Sequence, residues 1–531
     1  MRTLAAAAAV LALLAVPTPA GATSGFSLVQ LRPAASCTAA TQVALAGGTL
    51  VAGELSLWRV HSSKASRLAA LLRARDALHR IWPDRKVGRL DAIPVTDPLA
   101  VGQWWRQVVG VDKVDAPGPG RTVTVVDSGV DLSHPEFAAR PGTTAMNPQT
   151  TGPGIAAHGT AVASLVGAPA DGVGMVGIYP QAVIQSYDAA PGRELDTSEI
   201  VAGILAAARS GPGVINLSLG SRTRDSAIEQ AIDIALGSGS LVVAAAGNER
   251  QEGNPVEYPA GLPHVLTVAA SDRTGNAASF SNTSPQNDLA APGVDMTIAL
   301  PGGGYTDRGA GTSFSAPLVA GAAAWVWTAR PELDSTQLFE VMRRSATDAG
   351  APGFDEETGF GILNVPGALT FPTPGRDPRE PNDDIEFVTP QGFFAASTTT
   401  APLTSPAKER ISIYARLDAT EDRHDVYRVW VPAKKDMTAT ARQLDADVDL
   451  SAWRLSTSSI AQEPTGFRLA QSARRGLTNE SLFVRNSGTR GSFVYIDLTL
   501  APGTPSGSYV LGVATKPLPK PVKKTTATAQ R

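Results

Sequence analysis

A single cysteine, Cys37, stands in this 531-residue chain, so no disulfide can close within it. Cys37 belongs to no motif that would make it a nucleophile and reads as an incidental or buried thiol. Charge is sparse and balanced: ionisable side chains are 18% of the residues and the net charge is −3, which leaves no basic excess for a nucleic-acid partner. Walker loops, HExxH helices and paired CxxC motifs are missing, which removes the usual signatures of nucleotide and zinc chemistry. No apolar run reaches the roughly 20 residues needed to cross a bilayer, and no stable membrane anchor is expected.

What is present begins with a leader. Arg2, the apolar run Leu4–Val16 and the small residues Ala20-Gly21-Ala22 form the three parts of a secretory signal over residues 1–22. No twin arginine precedes the run, and Cys37 lies too far downstream to be a lipidated first residue. A protein exported without disulfides must hold together through core size, bound ions or a high unfolding barrier. Hydrophobic residues make up 43%, enough for packed cores in two or three domains.

Residues 23–95 combine a strand-like stretch, 53–60, with a basic amphipathic helix expected from Ser62 to Ile81. Leu68, Leu71, Leu72, Leu78 and Ile81 supply its apolar spacing and Pro83 its stop. Over 96–371 short apolar runs (Val123–Val126, Val183–Ser186, Val214–Leu219, Leu241–Ala246, Val265–Ala269) alternate with helix-like stretches (His158–Val166, Ser198–Ala208, Asp225–Leu236, Ser313–Ala329). That alternation predicts an α/β fold, a mainly parallel sheet flanked by helices. The proline-rich stretch 372–379 reads as a linker. Period-two patterns such as Tyr427/Val429/Val431, Val494/Ile496/Leu498/Leu500 and Tyr509/Leu511/Val513 predict an antiparallel β-sandwich over 380–515. Residues 516–531, rich in Lys, Thr and Pro, read as a disordered tail.

Four short motifs carry the chemistry. Asp127 closes an apolar strand, His158 opens a helix in His158-Gly159-Thr160, and Asn248 follows Gly247 at a strand end. Ser313 lies in Gly311-Thr312-Ser313-Phe314-Ser315-Ala316-Pro317 at the start of an apolar helix. Alone, each has an ordinary reading: a turn aspartate, a packed histidine, an asparagine in a left-handed turn. Together they supply a hydroxyl, an imidazole to take its proton, a carboxylate to orient the imidazole and an amide to steady an oxyanion. Pro317 is expected in the first helical turn, where amides lack intrahelical partners.

In order, flanking residues and separations of 31, 90 and 65 residues, the four motifs resemble the subtilisin family of serine peptidases, over about 97–370. The resemblance implies Asp127, His158 and Ser313 as the triad, with Asn248 and the Ser313 amide as the oxyanion hole. It also implies that Ser218, Leu219 and Gly220 pair with the substrate backbone, and that Ala245 and Gly247 line a mainly apolar first pocket; Tyr258-Pro259-Ala260 also fits. Departures are Ala161, Phe314 and Leu318, where the family usually has His, Met and His.

By position and size, 23–95 resembles a subtilase propeptide, implying a folding template and inhibitor removed by self-cleavage. The C-terminal part is similar to the prepeptidase C-terminal domain in Glu380-Pro381-Asn382-Asp383, Asp425-Val426-Tyr427, Asp447-Val448-Asp449-Leu450 and Gly507-Ser508-Tyr509-Val510-Leu511. The expectation is a monomeric, secreted endopeptidase acting on proteins or peptides, with no cofactor needed for the chemistry. Structural calcium is compatible but has no assignable ligands, and the acidic turns read first as solvated carboxylates. Asn216, Asn282 and Asn479 sit in N-x-S/T triplets; the first falls on the substrate strand, against glycosylation there. The rival readings are an inactive subtilase-fold binding protein, a serine esterase, which would show G-x-S-x-G, and a sedolisin-type peptidase, which would use a glutamate for the histidine.

Overall fold

The computed structural model describes residues 23–32, 37–52, 56–85, 96–138, 140, 142–150, 157–191, 194–390, 400–460 and 467–518. The expected leader 1–22 and residues 519–531 of the expected tail lie outside them. The chain divides into two compact units, Met1–Ile93 and Pro94–Arg531.

In the first unit, strands β1 (Thr23–Leu31), β2 (Thr49–Ala52), β3 (Leu57–His61) and β4 (Leu78–Arg85) form an antiparallel sheet in the order β2-β3-β1-β4. Helices α1 (Cys37–Leu45) and α2 (Ser62–Arg73) complete the unit. Val29, Val43, Val60, Leu68 and Leu72 close a small core. The long helix expected to run to Ile81 stops at Arg73. Asp76 adopts a positive φ of 51°, the chain reverses, and Leu78 and Ile81 pair with β1 instead. A leucine and an isoleucine three apart fit helical spacing, and only the turn at Asp76 reveals that the period has ended.

The second unit is built on seven parallel strands in the order β11-β10-β9-β8-β5-β7-β6: β5 (Thr122–Asp127), β6 (Thr143–Ala145), β7 (Val183–Asp188), β8 (Val214–Leu217), β9 (Leu241–Ala245), β10 (Val265–Ser271) and β11 (Leu289–Pro292). Both faces are covered, which is why the strands read as nearly continuous apolar runs. Successive side chains go to opposite faces: Val125 joins the core under α5 (Ala157–Gly167) and α8 (Thr312–Ala329), whereas Val126 packs with α6 (Thr197–Arg209) and α7 (Ser226–Gly237). Helix α8 is buried continuously from Ser315 to Trp327, as befits a helix apolar on all sides. Shorter pieces are α3 (Trp105–Val108), α4 (Pro135–Ala138), the hairpin β12 (Met296–Leu300) and β13 (Gly304–Gly309), α9 (Ser335–Arg344) and α10 (Val365–Thr370). A capping box between Asp334 and Gln337 starts α9.

After α11 (Ile385–Val388) the chain forms two antiparallel four-stranded sheets. One is ordered β14-β21-β16-β19: β14 (Arg410–Asp418), β16 (Lys435–Arg442), β19 (Glu480–Asn486) and β21 (Ser506–Pro517). The other is β15-β20-β17-β18: β15 (His424–Val431), β17 (Val448–Arg454), β18 (Arg468–Ser472) and β20 (Ser492–Leu500). The alternation in β21 is clear, with Tyr509, Leu511 and Val513 facing the shared core. Strand pairing reaches Lys516 and Pro517, so the ordered chain extends past the start expected for the tail.

The proline-rich segment before α11 is fastened at both ends. Gln337 on α9 donates to the Pro374 carbonyl at 2.7 Å, and Asp377 accepts the Arg416 amide of β14 at 2.6 Å. Ion pairs join the parallel-sheet part to the sandwich. Arg343 of α9, only 3% exposed, bonds Asp288 beside β11 at 3.3 Å and Asp418 at the end of β14 at 2.9 Å, and also holds Glu340. Glu421 accepts the backbone amide of His264 at 2.8 Å.

Candidate active site

Asp127, His158, Asn248 and Ser313 come from four separated elements, and the parallel sheet gathers the segments that carry them. Asp127 is the last residue of β5, Ser218 follows β8, and Asn248 lies just beyond β9, all at the carboxyl edge where open parallel sheets carry their sites. His158 is the second residue of α5. The next position must be glycine: a Cβ on Gly159 would lie 2.1 Å from the carbonyl oxygen of Gly129. This close approach brings the first turn of α5 against the segment after β5.

The result is a tight pair. Nδ1 of His158 lies 2.9 Å from each carboxylate oxygen of Asp127. Asp127 is buried and also accepts the Ser128 amide at 2.7 Å, while the imidazole keeps 42% of its surface accessible. The charge of Asp127 raises the His158 pKa above the usual 6.5, with their hydrogen bond adding to it, against the lowering effect of burial. The ring also faces Phe314 at 5.9 Å between centroids, which puts the imidazole beside the residue following Ser313.

Ser313 is held by its neighbours. Gly311, at φ 147°, makes the turn into α8, and its amide bonds the Gly293 carbonyl at 2.9 Å. Asn248 Oδ1 accepts the Thr312 amide at 2.8 Å and the Thr312 hydroxyl at 3.1 Å. Pro317 is the sixth helical residue, beyond the first turn where it was expected. Its missing N–H leaves the Ser313 carbonyl without the normal i→i−4 donor, and the Ser218 hydroxyl fills the gap at 2.9 Å. Asn216 in turn donates to that hydroxyl at 3.0 Å. The Ser313 hydroxyl is turned toward the Ser218 carbonyl at 3.5 Å and is not hydrogen-bonded to His158.

Ser218, Leu219 and Gly220 follow directly on β8, outside any regular element. Among the described residues, the backbone groups of Leu219 and Gly220 make no hydrogen bond within the protein, an open edge of the kind that accepts a further strand. Beyond it, Ser221 pairs with Tyr258 at 2.9 and 2.8 Å. Ala245 ends β9, and Gly247 and Gly220 both lie beside the side chain of Glu257. The sequence expectation is a mainly apolar space beside these glycines, and one acid adds to it. The side chain of Glu257, missed in the sequence, reaches it; the signal was its place directly before Tyr258-Pro259-Ala260.

A second cluster lies between the parallel-sheet part and the sandwich. Oxygens of Asp377, Glu380, Asp422 and Asp425 lie within 4.8 Å of one another. The reading of these acidic turns as solvated carboxylates fails here, because all four are buried or nearly so. Burial first, then mutual repulsion, drives the pKa values of Asp377, Glu380 and Asp422 well above the ordinary range. Among the described residues, Asp377 Oδ1, Glu380 Oε1 and Asp422 Oδ1 have no hydrogen-bond partner. Buried unpaired carboxylate oxygens suit a hard cation with oxygen ligands. The nearby His264 Nε2, 3.1 Å from the carboxylate of Asp383, also lies within 4.8 Å of oxygens of Glu380 and Asp422, so the four carboxylates form the all-oxygen set and His264 borders it.

Comparison with known proteins agrees with the fold. The profile of the Peptidase S8 subtilase family matches residues 118–361. A subtilisin of Bacillus pumilus is 35% identical over 279 residues, covering 49% of this chain and 97% of that protein. The chain belongs to the subtilase family. Subtilisin BL of Lederbergia lenta is 34% identical over 269 residues, with 49% and 97% covered. Among solved structures, fervidolysin from Fervidobacterium pennivorans, a keratinolytic enzyme related to subtilisin, aligns with a TM-score of 0.49 at 18% identity, over 86% of this chain and 84% of that one. This subtilase is thus a serine endopeptidase with the family's seven-stranded parallel sheet, extended by two antiparallel sheets. Among the described residues, no helix is long and apolar enough to cross a membrane.

Proposed function

We propose that this subtilase cleaves peptide bonds through Ser313, activated by His158 and Asp127, after export and self-processing of a precursor. The observation that carries the reading is the pairing of His158 Nδ1 with both oxygens of Asp127 at 2.9 Å, beside the start of α8. The substrate lies as an added strand along Ser218-Leu219-Gly220. Rotation of the Ser313 side chain from the Ser218 carbonyl brings Oγ to His158 Nε2; such contacts are commonly long before substrate binds. Oγ attacks the scissile carbonyl as Nε2 takes its proton, and Asp127 steadies the imidazolium. The oxyanion is met by the Asn248 amide and the Ser313 N–H, a first-turn amide with no acceptor among the described residues. His158 then protonates the leaving amine, and water repeats the relay to release the acyl group.

The leader pattern in residues 1–22 supports export, and the separate fold of the first unit supports a removable propeptide acting as an inhibitor. Calcium, held by Asp377, Glu380, Asp422 and Asp425, neutralises a buried charge cluster and supplies stability in a chain without disulfides, while the peptide chemistry needs no cofactor. A fluorophosphonate probe tests the central claim: it should label the secreted wild type and not Ser313→Ala. Equal labelling, or trimming of the Ser313→Ala precursor at the same junction with no other protease present, would overturn the scheme.

A further inference from the structure

The space beside the reacting groups contains an acid that no catalytic step uses. A Cβ on Gly247 would lie 2.7 Å from Glu257 Cγ and 3.0 Å from Glu249 Oε2, and one on Gly220 would lie 3.1 Å from Glu257 Oε2. The Glu257 side chain therefore reaches between the segment after β8 and the segment after β9, the two walls that flank the substrate residue before the scissile bond. Both glycines leave that route open. Glu257 is 8% exposed, and its carboxylate accepts no hydrogen bond among the described residues. Among the described residues its one ionic neighbour is Arg222, at 3.7 Å, which is 55% exposed and shared with Glu252 at 3.4 Å. Glu249, by contrast, accepts the backbone N–H of Asn248 and the side-chain amide of Asn282.

A nearly buried carboxylate with one distant, shared cation is poorly compensated. A substrate cation entering between the two walls would supply what it lacks, and a carboxylate there would be repelled by two acids. We infer that Glu257 forms the floor of the first specificity pocket and selects a lysine or arginine side chain before the cleaved bond. This rests on the proposed substrate strand and nucleophile, and it names the substrate class that the same site takes. The planar fork of arginine can meet both oxygens of Glu257, so arginine should exceed lysine.

The test uses secreted, processed enzyme and peptide p-nitroanilides that differ only in the final residue: Arg, Lys, Gln, Phe, Leu or Glu. The wild type should cleave the Arg peptide with kcat/KM roughly 30-fold or more above the Gln peptide, and Glu should be the poorest. In Glu257→Gln that ratio should collapse toward one. Phosphonate titration counts competent sites, so poor folding of the variant cannot imitate the change. A wild type that prefers Phe or Leu overturns the inference without any variant, and so does an unchanged ratio in Glu257→Gln. If hydrolysis persists in Ser313→Ala, the catalytic reading fails instead, and the two failures are told apart.

Discussion

The backbone amide of Thr312 donates to Asn248 Oδ1 at 2.8 Å, so the residue before Ser313 fixes which end of the asparagine amide remains for another partner. In the proposed mechanism the amide nitrogen is left to serve a developing oxyanion. Asn248→Ala should lower kcat by about 100- to 1000-fold with little change in KM. Asn248→Asp, which keeps the acceptor for Thr312 but puts an oxygen where a donor is required, should be at least as slow. Steady-state kinetics on one peptide anilide check both, and a variant within tenfold of wild type would remove Asn248 from the oxyanion hole.

The ion pair between His158 and Asp127 fixes the sign of the pH dependence. Asp127 raises the imidazole pKa, so His158, the base of the proposed mechanism, stays protonated up to a pH above the ordinary 6.5. The acid limb of kcat/KM should have its midpoint above that value. For the fold the sign is opposite: the stabilisation from this pair is full below the unfolded pKa and fades as pH rises through the raised one. A pH–rate profile of the wild type with its midpoint at or below 6.5 would contradict the assignment.

Ser218 and Pro317 form a testable couple. In Ser218→Ala the Ser313 carbonyl loses its donor, which should cost about 1–2 kcal/mol of stability. In Pro317→Ala the helix regains an amide able to reach that carbonyl, so the Ser218→Ala penalty should shrink in the double variant. Urea midpoints for the four proteins close the cycle; simple additivity would break the account.

Arg343 is the shared cation of the charged face between the parallel-sheet part and the sandwich. Arg343→Ala leaves Asp288 and Asp418 without their buried guanidinium and should destabilise by about 3–5 kcal/mol. Arg344→Ala, next in sequence and more exposed, should cost far less. Denaturant midpoints separate the two.

The acidic cluster predicts a calcium response. Chelation should lower the thermal midpoint, added calcium should restore it, and Asp422→Asn should blunt the response. Calorimetry measures both. A wild type indifferent to chelator and to added calcium would remove the ion from the description.

Strands β5, β8, β9 and β10 were legible because burial on both faces writes nearly unbroken apolar runs, β7 because its Val-Ile start still stands out although its burial alternates, and the motif residues because each follows a run or opens a helix. The end of α2 was not, since leucine spacing cannot tell a continuing helix from a strand begun after a turn at Asp76. Pro317 misled because helix starts are blurred by a turn in sequence. Glu257 and the four-carboxylate cluster were hidden for a different reason. Their meaning depends on which distant backbone or acid lies next to them, and neither spacing nor composition encodes that adjacency. The short hairpin β12–β13 carries too few residues for a periodic pattern to emerge.

Arg343 has a bearing on modularity. Its guanidinium answers to acids on both sides of the proline-rich segment, so the C-terminal sheets are not a cargo that could be grafted onto another peptidase at that segment alone. A chimera joined there would inherit Asp418 without its cation, and the donor would keep a stranded arginine. Transplanting the sandwich successfully means carrying the receiving face of α9 along with it.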